Sequence, residues 1–325
     1  MQIFRKLEDI PPDFGPCVIT IGNFDGLHAG HRQIMRRVAQ IARERVLKPS
    51  VLTFDPHPTK VVAPARAPKL ITTVELRCPL MREDGIEQVL ILPFDLSIAS
   101  WTPEQFVKNL LVDRLGVRVV LVGADFRFGH HQAGDTRLLA ALGERFGFRT
   151  ELIEPVNVRG ERVSSSLIRR MVQEGRVARA CRLLTRPFAI SGNVVAGHGI
   201  GSKQTVPTLN LAPDSELLPR NGVYITRTAE LDGSRAWQSI TNVGYRPTFD
   251  GDALTIETFL LEPLTGESPK QIRVDFLWRV RDERKFESPE ALKSQILKDV
   301  GRARVYFRRR AMPSRAIHTI QSGRK

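Results

Sequence analysis

Two histidines three residues apart, His28 and His31, stand in the segment IGNFDGLHAGH at positions 21–31, where an apolar run gives way to an amphipathic one. Residues at that spacing share one side of a first helical turn, so both imidazoles can donate hydrogen bonds to the same developing charge. Gly22, Gly26 and Gly30 let the backbone come close to a ligand, and a helix starting here offers unpaired N–H groups at the positive end of its dipole. Phosphate suits such a turn. If the nucleophile is itself a phosphate oxygen, two donors, a dipole and Mg²⁺ suffice for an in-line displacement without a general base. Two blander readings compete: a zinc site, with His57 the obvious third ligand, and a pair of surface histidines without a role.

Five further segments carry polar chemistry. TFDPHP, 53–58, sets His57 on a turn stiffened by two prolines, which by itself is an ordinary turn. In VGADFRFG, 122–129, Asp125 follows a strand end where ligands gather, while Phe126 and Phe128 read equally as core. Ser164, Ser165 and Ser166 stand at a helix start with Arg169 about one turn on, an arrangement that can bind and neutralise phosphate or be a serine cap beside a solvated arginine. Beyond them, Gly197, Gly199 and Gly201 precede Ser202 and Lys203, which makes either a flap over ATP phosphates or a glycine-rich hairpin. A P-loop is excluded there, since GxxxxGK[ST] is absent and the context is strand. Thr208 and Asn210 alternate onto one face of a short strand, so their oxygens can serve Mg²⁺ or form a polar sheet face.

The elements that must position these residues fall into two rhythms. Short apolar runs at Cys17–Ile21, Val51–Phe54, Val89–Leu92, Val117–Val122 and Glu151–Ile153 alternate with helical patterns, one built on Ile34, Val38 and Ile41 and another opening at Pro103. That order predicts a parallel sheet wrapped on both faces, with ligands beyond the carboxyl ends of its strands. After a helical stretch, Ser166–Leu184, β-rich runs follow at Phe188–Val195, Val223–Thr228, Ser239–Val243, Thr255–Leu260 and Ile272–Val280. These predict a small β-barrel closed by a helix around Pro289–Val300. The boundaries expected are 1–184 for the first domain, 185–310 for the second and 311–325 for a basic tail.

Composition narrows the class. Forty-nine Lys and Arg against thirty-five Asp and Glu leave a net charge of +14, which favours polyanions such as nucleotides, nucleic acid or anionic lipid. Cys17, Cys78 and Cys181 lie far apart without CxxC spacing and read as reduced packing residues, which points to the cytoplasm. The first residues lack a signal peptide's apolar stretch, and no run reaches the roughly 20 apolar residues of a membrane span, so a soluble protein is expected.

The segment 21–31 resembles the HxGH motif of nucleotidyltransferases, and GNFDGLHAGH is similar to the FAD synthetase module of bacterial bifunctional riboflavin kinase/FAD synthetases. TFDPHP, LPFD at 92–95, VGADFRFG and VSSSLIRR occur in that family's order, and PTLN at 207–210, LLPRNGVY at 217–224, NVGYRPTF at 242–249 and the strand with Glu257 resemble its riboflavin kinase module. The resemblance covers nearly the whole chain. It implies a Rossmann-like nucleotidyltransferase domain, then a β-barrel kinase domain, which phosphorylate riboflavin to FMN and adenylylate FMN to FAD with ATP and Mg²⁺.

By resemblance, Gly22, Asn23, Phe24, Asp25, Gly26, His57, Asp125, the three serines, Arg169, the flap residues, Thr208 and Asn210 bind nucleotide, the last two also holding Mg²⁺. Phe126, Phe128 and Asn242 contact flavin. Where the family usually has a GRTLGF-like stretch before PTAN, this chain has GSKQTV, so the flap departs from the pattern. Riboflavin's primary alcohol is a poor nucleophile at neutral pH, and Glu257 matches the family's catalytic glutamate as its general base, against the reading of an outward-facing strand carboxylate. Two other classes stay open: a different adenylyl- or cytidylyltransferase with an accessory barrel, and a basic nucleic-acid binder using the tail from Arg304 onward. The tail reads more simply as a solvated extension, nucleic acid and membrane are not expected partners, and a homo-oligomer stays open.

Overall fold

The computed structural model describes residues 1–195, 208–248 and 251–311. They form two compact units. The first comprises Met1–Glu174, Arg179–Pro187 and Ser215–Leu218; the second comprises Gly175–Ala178 and the described residues of Phe188–Asp214 and Pro219–Lys325.

Six strands make the sheet of the first unit: β1 (Gln2–Phe4), β2 (Cys17–Ile21), β3 (Lys48–Asp55), β4 (Gln88–Pro93), β5 (Val117–Gly123) and β6 (Arg149–Ile153). All pair in parallel, in the order β1-β4-β3-β2-β5-β6. The strands β2 to β5 coincide with apolar runs, because burial on both faces demands continuous apolar sequence, whereas the edge strand β6 is only partly buried. Alternate residues serve opposite faces: Val120 and Val122 belong to one core cluster, Val119 and Leu121 to the other.

Helices cover both faces. Up to Leu184 the α-helices of the chain are α1 (Ala29–Arg45), α2 (Pro58–Val62), α3 (Val74–Glu83), α4 (Leu96–Ala99), α5 (Pro103–Gln105), α6 (Thr136–Phe146), α7 (Ser165–Gln173) and α8 (Val177–Leu184). Met35, Val38 and Ile41 of α1 pack in one cluster with Cys78 and Met81 of α3, while Leu139 and Leu142 of α6 pack in the other. The helix expected from Pro103 widens after one turn into a π-helix over Phe106–Val112, which buries Phe106, Val107, Leu110 and Leu111 together. The helical stretch expected over Ser166–Leu184 consists of two helices, parted at Gly175, whose φ of +75° a helix interior does not accept. The sheet order reverses at β2: β3 and β4 lie to one side, β5 and β6 to the other. The carboxyl ends of β2 and β5 therefore flank the crevice where such sheets bind ligands.

A two-residue hairpin, β7 (Asn157–Val158) with β8 (Glu161–Arg162), precedes α7. The second unit is a closed antiparallel barrel of β9 (Phe188–Val195), β10 (Thr208–Pro213), β11 (Gly222–Glu230), β12 (Ala236–Thr248), β13 (Gly251–Leu260) and β14 (Gln271–Arg281), ordered β10-β13-β12-β11-β14-β9. Its interior holds Phe188, Tyr224 and Phe276 beside a chain of fully buried hydroxyls, Thr228–Ser239–Thr226–Thr241–Thr258, linked at 2.8 to 3.0 Å. Helix α9 (Pro289–Ala311) closes the barrel. It runs past the expected end at Val300, because Ala303, Tyr306 and Phe307 continue its apolar face against Val223, Ile225 and Ile240.

Candidate active sites

In the first unit the turn after β2 is held in a costly conformation. Phe24 and Leu27, both buried, have φ of +48° and +36°, and Gly26 has +80°. Non-glycine residues in that region cost about 1–3 kcal/mol each and persist only where surroundings enforce them. Here Asp25 does much of the enforcing. Its carboxylate, 2% exposed, accepts from the amides of Ile71 at 3.0 Å and Thr72 at 3.1 Å and from Arg169 Nη2 at 2.6 Å. Arg169 also donates to the Lys69 carbonyl, and Ser165 Oγ donates to the Asp25 carbonyl at 2.9 Å. Asp25, Ser165 and Arg169 thus arrive together, joining three segments.

His28 caps α1, its Nδ1 accepting from the His31 amide at 3.4 Å, so the proton of its neutral ring sits on Nε2. The two imidazoles stack with centroids 3.6 Å apart at 19°. Gly30 permits this, since a Cβ there would meet the His28 ring at 3.3 Å. Burial, with the nearby Arg186 and Arg169 charges, pushes His28 down to about 4. Burial, His28, Arg77 and Arg186 hold His31 well below its ordinary value. Both rings are therefore neutral donors at pH 7. Thr20 Oγ1, Asn23 Oδ1 and His31 Nδ1 are buried at this turn without a partner among the described residues. Such atoms cost stability unless a ligand meets them.

Around this turn, His57 caps α2, accepting from the Thr59 amide at 3.2 Å, and burial and the Arg169 charge lower its pKa. Ser164 caps α7 by accepting from the Leu167 amide at 3.2 Å, and Ser166 is exposed in its first turn. Asp125 follows β5 and pairs with Arg162 at 3.1 Å. Phe126 stacks on Phe128 at 5.5 Å, and Phe128 itself lies in the core beside Phe106. Arg77 and Arg186 had no sequence signal. Arg77 is 3% exposed on α3 and donates to the Asn23 carbonyl; Arg186, in the stretch between α8 and β9, donates to the carbonyls of Gly26 at 2.6 Å and Leu27 at 3.1 Å. Among the described residues no group of three or more His, Cys, Asp or Glu is placed to hold a metal.

In the barrel, pairing places Asn210 opposite Glu257, Glu257 opposite Asn242, and Thr208 opposite Phe259. Directly paired residues share a face, so Thr208, Asn210, Glu257 and Asn242 stand together on the barrel's outer wall. Asn242, Glu257 and Phe259 line a cavity of about 290 Å³ with Ile296 and Val300 of α9 and Phe286. Arg281, also on its rim, is fixed to Asp299 of α9 at 2.8 Å, and Gln295 donates to the same carboxylate at 2.9 Å. Gly197, Gly199, Gly201 and Lys203 of the expected flap lie outside the described residues.

A model of the FAD synthetase family matches residues 10–167, and one of the riboflavin kinase family matches 184–307. A bifunctional riboflavin kinase/FMN adenylyltransferase of Escherichia coli K12 is 35% identical, over 94% of this chain and 98% of its own length. The chain belongs to the bifunctional riboflavin kinase/FMN adenylyltransferase family. A relative of the same description from Pseudomonas fluorescens is also 35% identical, over 94% of this chain and 97% of its own. A solved structure from Streptococcus pneumoniae, described as a macrolide-efflux protein, shares the architecture with a TM-score of 0.83 and 26% identity, over 93% of this chain and 98% of its own. Both family modules thus follow one another along a single chain, each matched to one of the two folds.

Proposed function

We propose that the barrel transfers the terminal phosphoryl group of ATP to riboflavin, and that the first unit transfers AMP from ATP to the resulting FMN. The observation that carries the reading is the row Asn210–Glu257–Asn242, set in register across three strands, of which Glu257 and Asn242 line a cavity whose walls also include Val223, Ile240, Phe259 and Phe286. A flavin ring suits such walls. The Glu257 carboxylate takes the proton of the flavin's primary alcohol, the freed oxygen attacks the γ-phosphorus, and ADP leaves. The Thr208 hydroxyl and Asn210 amide oxygen are hard donors on that face and would hold Mg²⁺ with the ATP phosphates, where the ion neutralises charge.

At the other site the nucleophile is the FMN phosphate, already anionic, so no base is required. Its oxygen attacks the α-phosphorus and pyrophosphate leaves. His28 Nε2–H and the His31 ring stand at the start of α1, where they donate to the phosphoryl oxygens as charge accumulates. Asp25 and Arg169 hold the turn, Arg77 and Arg186 add positive charge, and Phe126 offers an aromatic face for flavin. No helix among the described residues is long and apolar enough to cross a membrane, and Cys17 and Cys78 are buried thiols outside any disulfide, which supports a cytoplasmic enzyme. Incubating the protein with riboflavin, ATP and Mg²⁺ and separating the flavins tests the reading: FMN and then FAD are expected, and neither appearing would sink it.

A further inference from the structure

Every carbonyl oxygen from Asn23 to His28 is taken by a donor. Asn23 O receives Arg77 Nη1 and Thr53 Oγ1, the latter at 3.4 Å; Phe24 O receives the Leu27 amide at 3.0 Å; Asp25 O receives Ser165 Oγ at 2.9 Å. Gly26 O and Leu27 O receive the two terminal nitrogens of Arg186 at 2.6 and 3.1 Å, and His28 O receives the Arg32 amide at 3.0 Å. The amides of Asn23, Phe24 and Asp25, by contrast, have no backbone acceptor among the described residues. Each peptide carries a dipole, so a turn whose oxygens are all drawn toward protein donors leaves positive amide ends for an anion.

We propose that Arg186 is a positioning residue for adenylyl transfer: its guanidinium fixes the Gly26 and Leu27 peptides so that the turn presents amides, not carbonyl oxygens, to the ATP phosphates. The inference rests on the adenylyl-transfer reading of this turn. Leu27, at φ +36°, is a non-glycine residue in an unfavourable conformation, and Gly26 before it has no Cβ to restrict it, so these peptides have reason to rotate once the fork is removed. The planar fork bonds two successive carbonyls and the Leu184 carbonyl at 3.1 Å, which an ammonium cannot match at once. Thr185, immediately before it, is a β-branched residue at φ +60°, a conformation tolerated only when it serves a constraint. The same charge helps keep the His28 ring neutral.

The test uses the full chain with Arg186→Met and Arg186→Lys. In Arg186→Met the KM for ATP in FMN adenylylation should rise about tenfold or more, the worth of charge-assisted hydrogen bonds to the turn. The KM for FMN should move far less, riboflavin phosphorylation should keep its wild-type kcat/KM, and Arg186→Lys should recover part of the loss. An unchanged KM for ATP, or an equal loss of both activities, overturns the proposal. Hydrogen exchange of the peptide spanning 22–31 separates this from the reading beneath it. Should even the wild type make no FAD, that reading falls, yet faster exchange in Arg186→Met would still uphold the clamp and unchanged exchange would remove it.

Discussion

His28 and His31 are both held neutral, because burial lowers each and a stacked pair 3.6 Å apart cannot readily carry two protons. Replacing both with alanine should lower FAD formation from FMN by about 10² or more, the usual cost of lost transition-state donors, while riboflavin is still phosphorylated. Chromatography of the flavins would show FMN accumulating. Their titration also sets a pH dependence of stability. Unfolded histidine has a pKa near 6.5, whereas His28 folded is at about 4. Between those values the unfolded chain binds the extra proton, so stability is lost as pH falls from about 6.5 toward 4. Thermal melts over that window should show the decline, and His28→Gln should make it shallower. The motif's histidines and glycines were legible because their spacing encodes one turn. The arginines that fasten it were not: Arg77 lies on α3, an element not foreseen, and Arg186 sits in an unpatterned stretch among 49 basic residues.

At the scale of elements, register decides chemistry, since a slip of one residue would turn Glu257 into the barrel and Thr258 out. Glu257→Gln should cut riboflavin phosphorylation by about 10² to 10⁴ and leave adenylylation of supplied FMN nearly unchanged. Rapid-quench measurement of the two steps would separate them, and wild-type phosphorylation would point to another base. Barrel closure depends on β9 lying close to β10 at Gly192, where an added Cβ would overlap the Ala212 carbonyl oxygen. Gly192→Ala should therefore destabilise the barrel by about 1–3 kcal/mol, read by denaturant titration. The sequence shows β2 and β9 to the residue, because each is a bounded, strongly β-type run. It hides β1, only three residues long, and α3, whose pattern Pro79 interrupts. The true end of α9 was obscured because Ala303, Tyr306 and Phe307 sit among exposed arginines.

For the molecule as a whole, two chemistries with different demands share one chain. An alcohol needs a base and a phosphate does not, which matches a carboxylate in one site and neutral donors in the other. Both must neutralise ATP, so removing Mg²⁺ with excess chelator should stop each step, and restoring it should restart them. FMN should precede FAD in time courses begun with riboflavin. The first unit is also not a continuous stretch of chain. Arg186 lies beyond its last helix, and Glu216, later still, accepts from Lys60 and from the Leu70 amide at 2.9 Å. A nascent chain leaving the ribosome therefore has the HxGH turn long before it has all the residues that brace this unit. The first unit should reach its final rigidity only after Leu218 has emerged, and a proteolytic fragment ending at Leu184 would carry the motif without Arg186 to brace it.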